Sequence, residues 1–289
     1  MRLILPALLV CSLAAIQAAE VRVFLSSKEN RFVPGESIPL QFTLRNLSGK
    51  DFQMGDSIDW LDLRVESDMR SAAFPIKPIV YRTSKRIPNA GEGKMTVDLG
   101  EFFRFTETGR YKVRAYVKSR DFEPVFVSYP DFQFDIVPPS TIWSTPIGYL
   151  PPGESRPIPR EFKIQKITRA RTVIFARVGV AGTGELINLV SLGELVTARQ
   201  PVKRIDRFSN LHVLHQSGAR EFTYHIISPK DGKLLRRRSY AFADGRAPVL
   251  DVDENGQGQV TGGLRIRRAT DIGHARKLPD RLPPAQGAD

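Results

Sequence analysis

From Thr108 to Val117 the chain alternates apolar and polar side chains without a break, and that period of two limits what can follow. Tyr111, Val113, Ala115 and Val117 fall on one side of an extended segment. Lys112, Arg114, Tyr116 and Lys118 fall on the other, the pattern of a strand with one buried face. Gly109 lets the chain turn sharply into it. The same alternation recurs at Ile38, Leu40, Phe42 and Leu44 against Gln41, Thr43 and Arg45. Long stretches of helical periodicity are few, while the chain holds 22 glycines and 21 prolines. These features predict an all-β protein made of antiparallel sheets.

Further strands are expected at Glu20 to Leu25, Leu61 to Val65, Ile76 to Tyr81, Met95 to Leu99, Val125 to Val127 and Phe132 to Ile136. That set fills residues 20–137, the length of one β-sandwich. Asn46 heads both a polar turn and an Asn-x-Ser acceptor sequence, and the turn is the expected role. Pro34-Gly35-Glu36, the strand from Ile38 to Leu44, and Gly109-x-Tyr111-x-Val113-x-Ala115 together resemble strands of bacterial immunoglobulin-like domains of the macroglobulin and fibronectin types. The resemblance implies a sandwich fold for the N-terminal half. It assigns no function.

Met1 to Ala19 has the form of a secretory leader, with Arg2, an apolar run from Leu3 to Ile16, and small residues Ala15, Ala18 and Ala19. The apolar run is shorter than the roughly 20 residues a membrane span requires. Cys11 is the only cysteine and lies inside this leader, so the remaining chain has no thiol for catalysis or pairing. A secreted or periplasmic location is expected. The chain carries 43 Lys and Arg against 31 Asp and Glu, a net charge of +12, and without Arg2 the excess is +11. Such a balance suits an anionic polymer or an acidic envelope protein as partner.

Residues 138–159 hold seven prolines, from Pro138 to Pro159, and predict a stiff connector whose Trp143, Ile147, Tyr149 and Leu150 pack on a domain face. A second β domain, sandwich or meander, is expected over residues 160–268. Its strands begin near Phe162 and Thr172, and its hairpins include Leu211 to His215 with Phe222 to Ile227. The stretch Leu211 to Tyr240 weakly resembles part of a propeller blade, yet residues 160–268 are too few to close a ring. Residues 269–289 are polar and proline-containing and are expected to be a disordered tail.

Candidate sites lie in the second half. Arg236 and Arg238 share one face of a strand, as do Arg265 and Arg267, and adjoining strands would turn them into a basic stripe suited to carboxylates, sulfates or phosphates. His212 falls opposite His225 in the expected hairpin, so the two could hold a metal if Asp206 came near. Asp251-Val252-Asp253-Glu254-Asn255-Gly256 imitates the start of a calcium loop, but Gly262 stands where a bidentate Glu is needed, and a turn is expected instead. Gly179 to Gly184 lacks the dinucleotide spacing and a following Lys-Ser/Thr. Gly-x-Ser-x-Gly is absent, and Ser209 near His212 and Asp206 in sequence is not a triad. No cofactor is expected. The leading expectation is an exported, non-catalytic binding or assembly protein of the cell envelope. The alternative is an enzyme or accessory domain acting on an envelope polysaccharide.

Overall fold

The structure, a computed structural model, describes residues 20–67, 73–81, 84–196 and 199–273. The expected leader and all but the first residues of the expected tail lie outside these. The described chain is all-β, with one short 3-10 turn at Leu99–Glu101 and antiparallel pairing almost throughout.

Its first twelve strands are Glu20–Ser26 (β1), Arg31–Phe32 (β2), Pro39–Leu47 (β3), Phe52–Met54 (β4), Leu61–Ser67 (β5), Phe74–Pro75 (β6), Lys85–Ile87 (β7), Glu92–Asp98 (β8), Phe103–Arg104 (β9), Gly109–Ser119 (β10), Phe122–Val127 (β11) and Phe132–Ile136 (β12). The chain divides into two compact units, and residues 31–36 and 105–108 cluster with the second. In the first unit β1, β3 and β8 form one sheet, while β10 pairs with β5, β11 and β12 in another. The alternation from Tyr111 to Val117 buries Tyr111, Val113, Ala115 and Val117 almost completely. Phe42 of β3 meets the buried Trp60 edge-on, with ring centroids 5.8 Å apart. The strand expected over residues 76–81 is irregular, because Pro78 cannot donate to a ladder.

Asn46 lies near the end of β3, fully buried. Its amide donates to the carbonyls of Lys50 at 2.8 Å and Ile87 at 3.0 Å, and its oxygen accepts from the Ser48 hydroxyl at 2.6 Å. It organises the turn from inside, where no glycan could be attached.

The second unit contains Ser140–Tyr149 (β13), Ile158–Thr168 (β14), Thr172–Val180 (β15), Leu186–Glu194 (β16), Val202–Ile205 (β17), Leu211–Gln216 (β18), Glu221–Ile227 (β19), Leu234–Ala241 (β20), Val249–Val252 (β21), Gly258–Thr261 (β22) and Leu264–Ile266 (β23). The proline-rich stretch is therefore no free connector. Most of it is β13 and its turn into β14, in a sheet of order β13-β14-β15-β16. Proline is tolerated because β13 is an edge strand, where a missing amide hydrogen leaves no neighbour unpaired. Trp143 and Ile147 pack against this unit's main core, whereas Leu150 is 55% exposed.

A second sheet has the order β17-β18-β19-β20-β23. Phe162, Ile164, Ile174, Ala176, Val178 and Leu192 of the first sheet meet Leu211, Val213 and Ile227 of the second, so the two pack face to face. Each fully buried side chain of this size contributes about 1.5–3 kcal/mol. The far face of the four-stranded sheet buries Ile167 and Phe175 with Val33. There Arg169 pairs with the partly buried Glu36. The far face of the five-stranded sheet buries Leu214, Tyr224 and Tyr240 beneath Leu250, so the β21–β22 hairpin covers it. The single strand expected from Val260 to Ile266 is broken by Gly262 and Gly263, whose φ values of +68° and +63° end β22 and start β23 in a different sheet.

Candidate functional site: an arginine-lined basin and three histidines

The basic residues are placed by the period of β20 and its pairing with β23. Tyr240 stands opposite Arg265 in register, and the Arg265 guanidinium lies over the Tyr240 ring at 5.6 Å. Arg238 precedes Tyr240 by two and shares its face. Arg238, Arg265 and Arg267 thus line one open basin of about 690 Å³, together with Tyr240, Arg268 and the segment ending at Gly273. Arg236 is on the same face of β20 but is not part of the basin wall. Burial, then the like charge of Arg238, lowers the pKa of Arg236.

Two of these cations are internally compensated. Arg265 Nη2 is 2.8 Å from Asp271 Oδ2, and its Nη1 donates to the Ser239 carbonyl at 2.9 Å. Arg268 is paired with Glu221. Among the described residues no hydrogen bond or ion pair engages the guanidinium of Arg238 or Arg267. Asp271 also accepts from the Ser239 hydroxyl at 3.0 Å and the Arg268 amide at 3.2 Å. Burial pushes its carboxyl pKa up, and the bonds from Arg265, Arg268 and Ser239 outweigh this and hold it below the usual value.

Ala269, Asp271, Ile272 and Gly273, in the stretch expected to begin a disordered tail, are part of this wall. Ile272 exchanges two backbone hydrogen bonds of 3.1 Å with Arg237. The tail's polar composition concealed both features. The one local signal was an acid three residues after Arg268, the spacing of a turn that caps its own first amide.

The proposed metal set of His212, His225 and Asp206 does not assemble. In the β18–β19 ladder His212 stands opposite Ile226, and His225 stands opposite Val213. The register differs by one residue from that expected, and one residue turns every side chain to the other face. Asp206 and His212 do meet, with Oδ2 3.0 Å from Nε2. The other imidazole nitrogen lies 2.6 Å from the Tyr224 hydroxyl. With Asp206 ionised, Nε2 donates to it and Nδ1 accepts from Tyr224. Burial raises the Asp206 pKa, but the bonds from His212 and Asn210 bring it below its ordinary value. Burial also pushes the Tyr224 phenol up. The backbone of β22 closes over this chain of bonds: a Cβ on Gly258 would lie 2.2 Å from His212 Nδ1.

His225 instead stacks on His215 in the core between the sheets, with ring centroids 5.4 Å apart and planes 13° from parallel. Both are buried, and Arg237 Nε donates to His225 Nε2 at 3.2 Å. Among the described residues the remaining three ring nitrogens have no hydrogen-bond partner of good geometry, although the Glu194 backbone lies close enough to His215 to oppose part of its pKa shift. Desolvation is the main reason that the His215 pKa falls to about 4 and that of His225 well below its usual value. Sequence reading missed this cluster, because it needs the register that puts 215 and 225 on one face.

Ser209 forms no triad, since its hydroxyl donates to the Gly148 carbonyl at 3.0 Å. The calcium-like sequence is a five-residue hairpin loop in which Asp253 accepts the amides of Asn255 at 2.9 Å and Gln257 at 2.8 Å. Among the described residues, no three His, Cys, Asp or Glu side chains converge as metal ligands. The chain matches no family model, no curated protein and no solved structure with which it was compared.

Proposed function

We propose that this chain is an exported, non-catalytic binding protein that holds an anionic polymer of the cell envelope in the basin of Arg238, Arg265 and Arg267, with Arg236 alongside. The observation that carries the reading is the pair of uncompensated guanidinium groups, Arg238 and Arg267, beside one basin. Arginine forks favour carboxylate, sulfate and phosphate oxygens, and a row of them favours a repeating anion. The leader-like residues 1–19 support export, and the thiol-free remainder is compatible with it. The immunoglobulin-like reading of the first unit is supported by its paired sheets around Trp60 and Tyr111.

The test is retention on immobilised heparin at fixed salt. Arg238→Gln with Arg267→Gln should weaken binding about tenfold, the size of two exposed charge contacts. Lys28→Gln with Arg45→Gln removes the same charge from the first unit. Equal weakening by the two double variants would reduce the effect to overall charge and overturn the site.

A further inference from the structure

Asp271 is held as a bound anion would be. A guanidinium, a hydroxyl and a backbone amide converge on its two oxygens, and its side chain is only 10% exposed. Among the described residues it is also the only carboxylate on the basin wall. The segment carrying it is lightly attached. Ala269, Thr270, Ile272 and Gly273 are exposed, and apart from Asp271 itself the segment is tied to the sheet by the backbone pair of Ile272 with Arg237 and by the exposed ion pair of Arg268 with Glu221. Elements with few buried contacts and few hydrogen bonds open at low free-energy cost.

We infer that Asp271 is a built-in occupant of the basin, and that an incoming polyanion displaces its carboxylate from Arg265 and releases the segment Arg268–Gly273 from the edge of β20. The inference rests on the anion-binding reading above and adds its regulation. Arg238 and Arg267 receive the first anionic groups, and Arg265 becomes available only when Asp271 leaves. Binding and release are then one equilibrium, and whatever weakens the internal carboxylate strengthens the external one.

Amide hydrogen exchange on the full chain, with and without saturating heparin decasaccharide, tests this. The Ile272 amide, bonded to the Arg237 carbonyl in the closed form, should exchange about tenfold faster with the ligand bound, while the Tyr224 amide inside the sheet stays protected. Asp271→Asn should speed Ile272 exchange without ligand and tighten heparin binding about fivefold. Asp231→Asn, which removes a charge elsewhere, should do neither. If the wild-type chain binds heparin while Ile272 remains protected, the release mechanism is wrong and the anion site stands. If neither the wild-type chain nor Asp271→Asn binds, the anion-binding reading itself fails, and the release mechanism with it. The wild-type exchange measurement decides even if Asp271→Asn does not fold.

Discussion

The two faces of the five-stranded sheet bury histidine in opposite ways. On the face covered by the β21–β22 hairpin, His212 has a partner at each ring nitrogen, Asp206 on one side and Tyr224 on the other. On the core face, His215 and His225 lie against each other, with three nitrogens unpartnered among the described residues and a cation, Arg237, beside them. The strands are the same and the burial is alike, at 2%, 2% and 0% exposure for His212, His215 and His225. Burial alone therefore does not decide what a histidine does for a fold. His212 links a loop, a strand and a hairpin. The stacked pair fits the core only while uncharged.

Acid should break this comparison most visibly. The pKa values of His215 and His225 are depressed in the fold by desolvation first, with Arg237 adding to it. The unfolded chain, near the ordinary value of about 6.5, therefore binds more protons below that pH. Stability is full above about pH 6.5, falls as pH drops, and stops falling on His215's account near its folded pKa of about 4. His215 alone should remove about 3 kcal/mol over that range. Other titrating groups near Arg237 do not blur the window: Asp271 has a lowered pKa and acts below about pH 4. Denaturant unfolding at pH 7 and pH 4.5 measures the loss, and His215→Leu with His225→Leu should abolish most of it. An unchanged slope in that double variant would dissolve the distinction between the faces.

Gly258→Ala comes next. Its Cβ would press into the His212 ring, which is fixed on both sides, so a cost of about 2 kcal/mol is expected in urea unfolding. Tyr224→Phe removes one hydroxyl and leaves His212 Nδ1 without a donor, which should cost about 1 kcal/mol at pH 7. Arg267→Gln should change stability by less than about 0.5 kcal/mol, since its charge has no partner to lose among the described residues. A thermal melt separates that small effect from its larger effect on heparin retention.

The strands themselves were legible. Alternation located β3 and β10, each with one face in a core, whereas apolar runs between turn residues located β15, β18, β19 and β20, of which β15 and β18 are buried on both faces. Register was not legible. The turn between Gln216 and Glu221 can close with either neighbouring pairing, and the choice decides whether His225 joins His212 or His215. Proline density misled at β13, because composition does not say whether a strand lies at an edge. The break at Gly262 and Gly263 was hidden inside an apparently continuous strand. The basic residues were readable from their spacing, whereas Asp271, the acid that reaches back to Arg265, was not. Its partners are remote in sequence or belong to a turn that polar composition does not distinguish from an unstructured tail.

The double glycine after β22 has a mechanical corollary. One short run of chain first shuts His212 away from water and then supplies Arg265 and Arg267 to the rim of the opposite edge, so cover and rim are coupled in series. A pull on either end is transmitted through two residues without side chains, and loosening the hairpin over His212 would slacken the arginines as well.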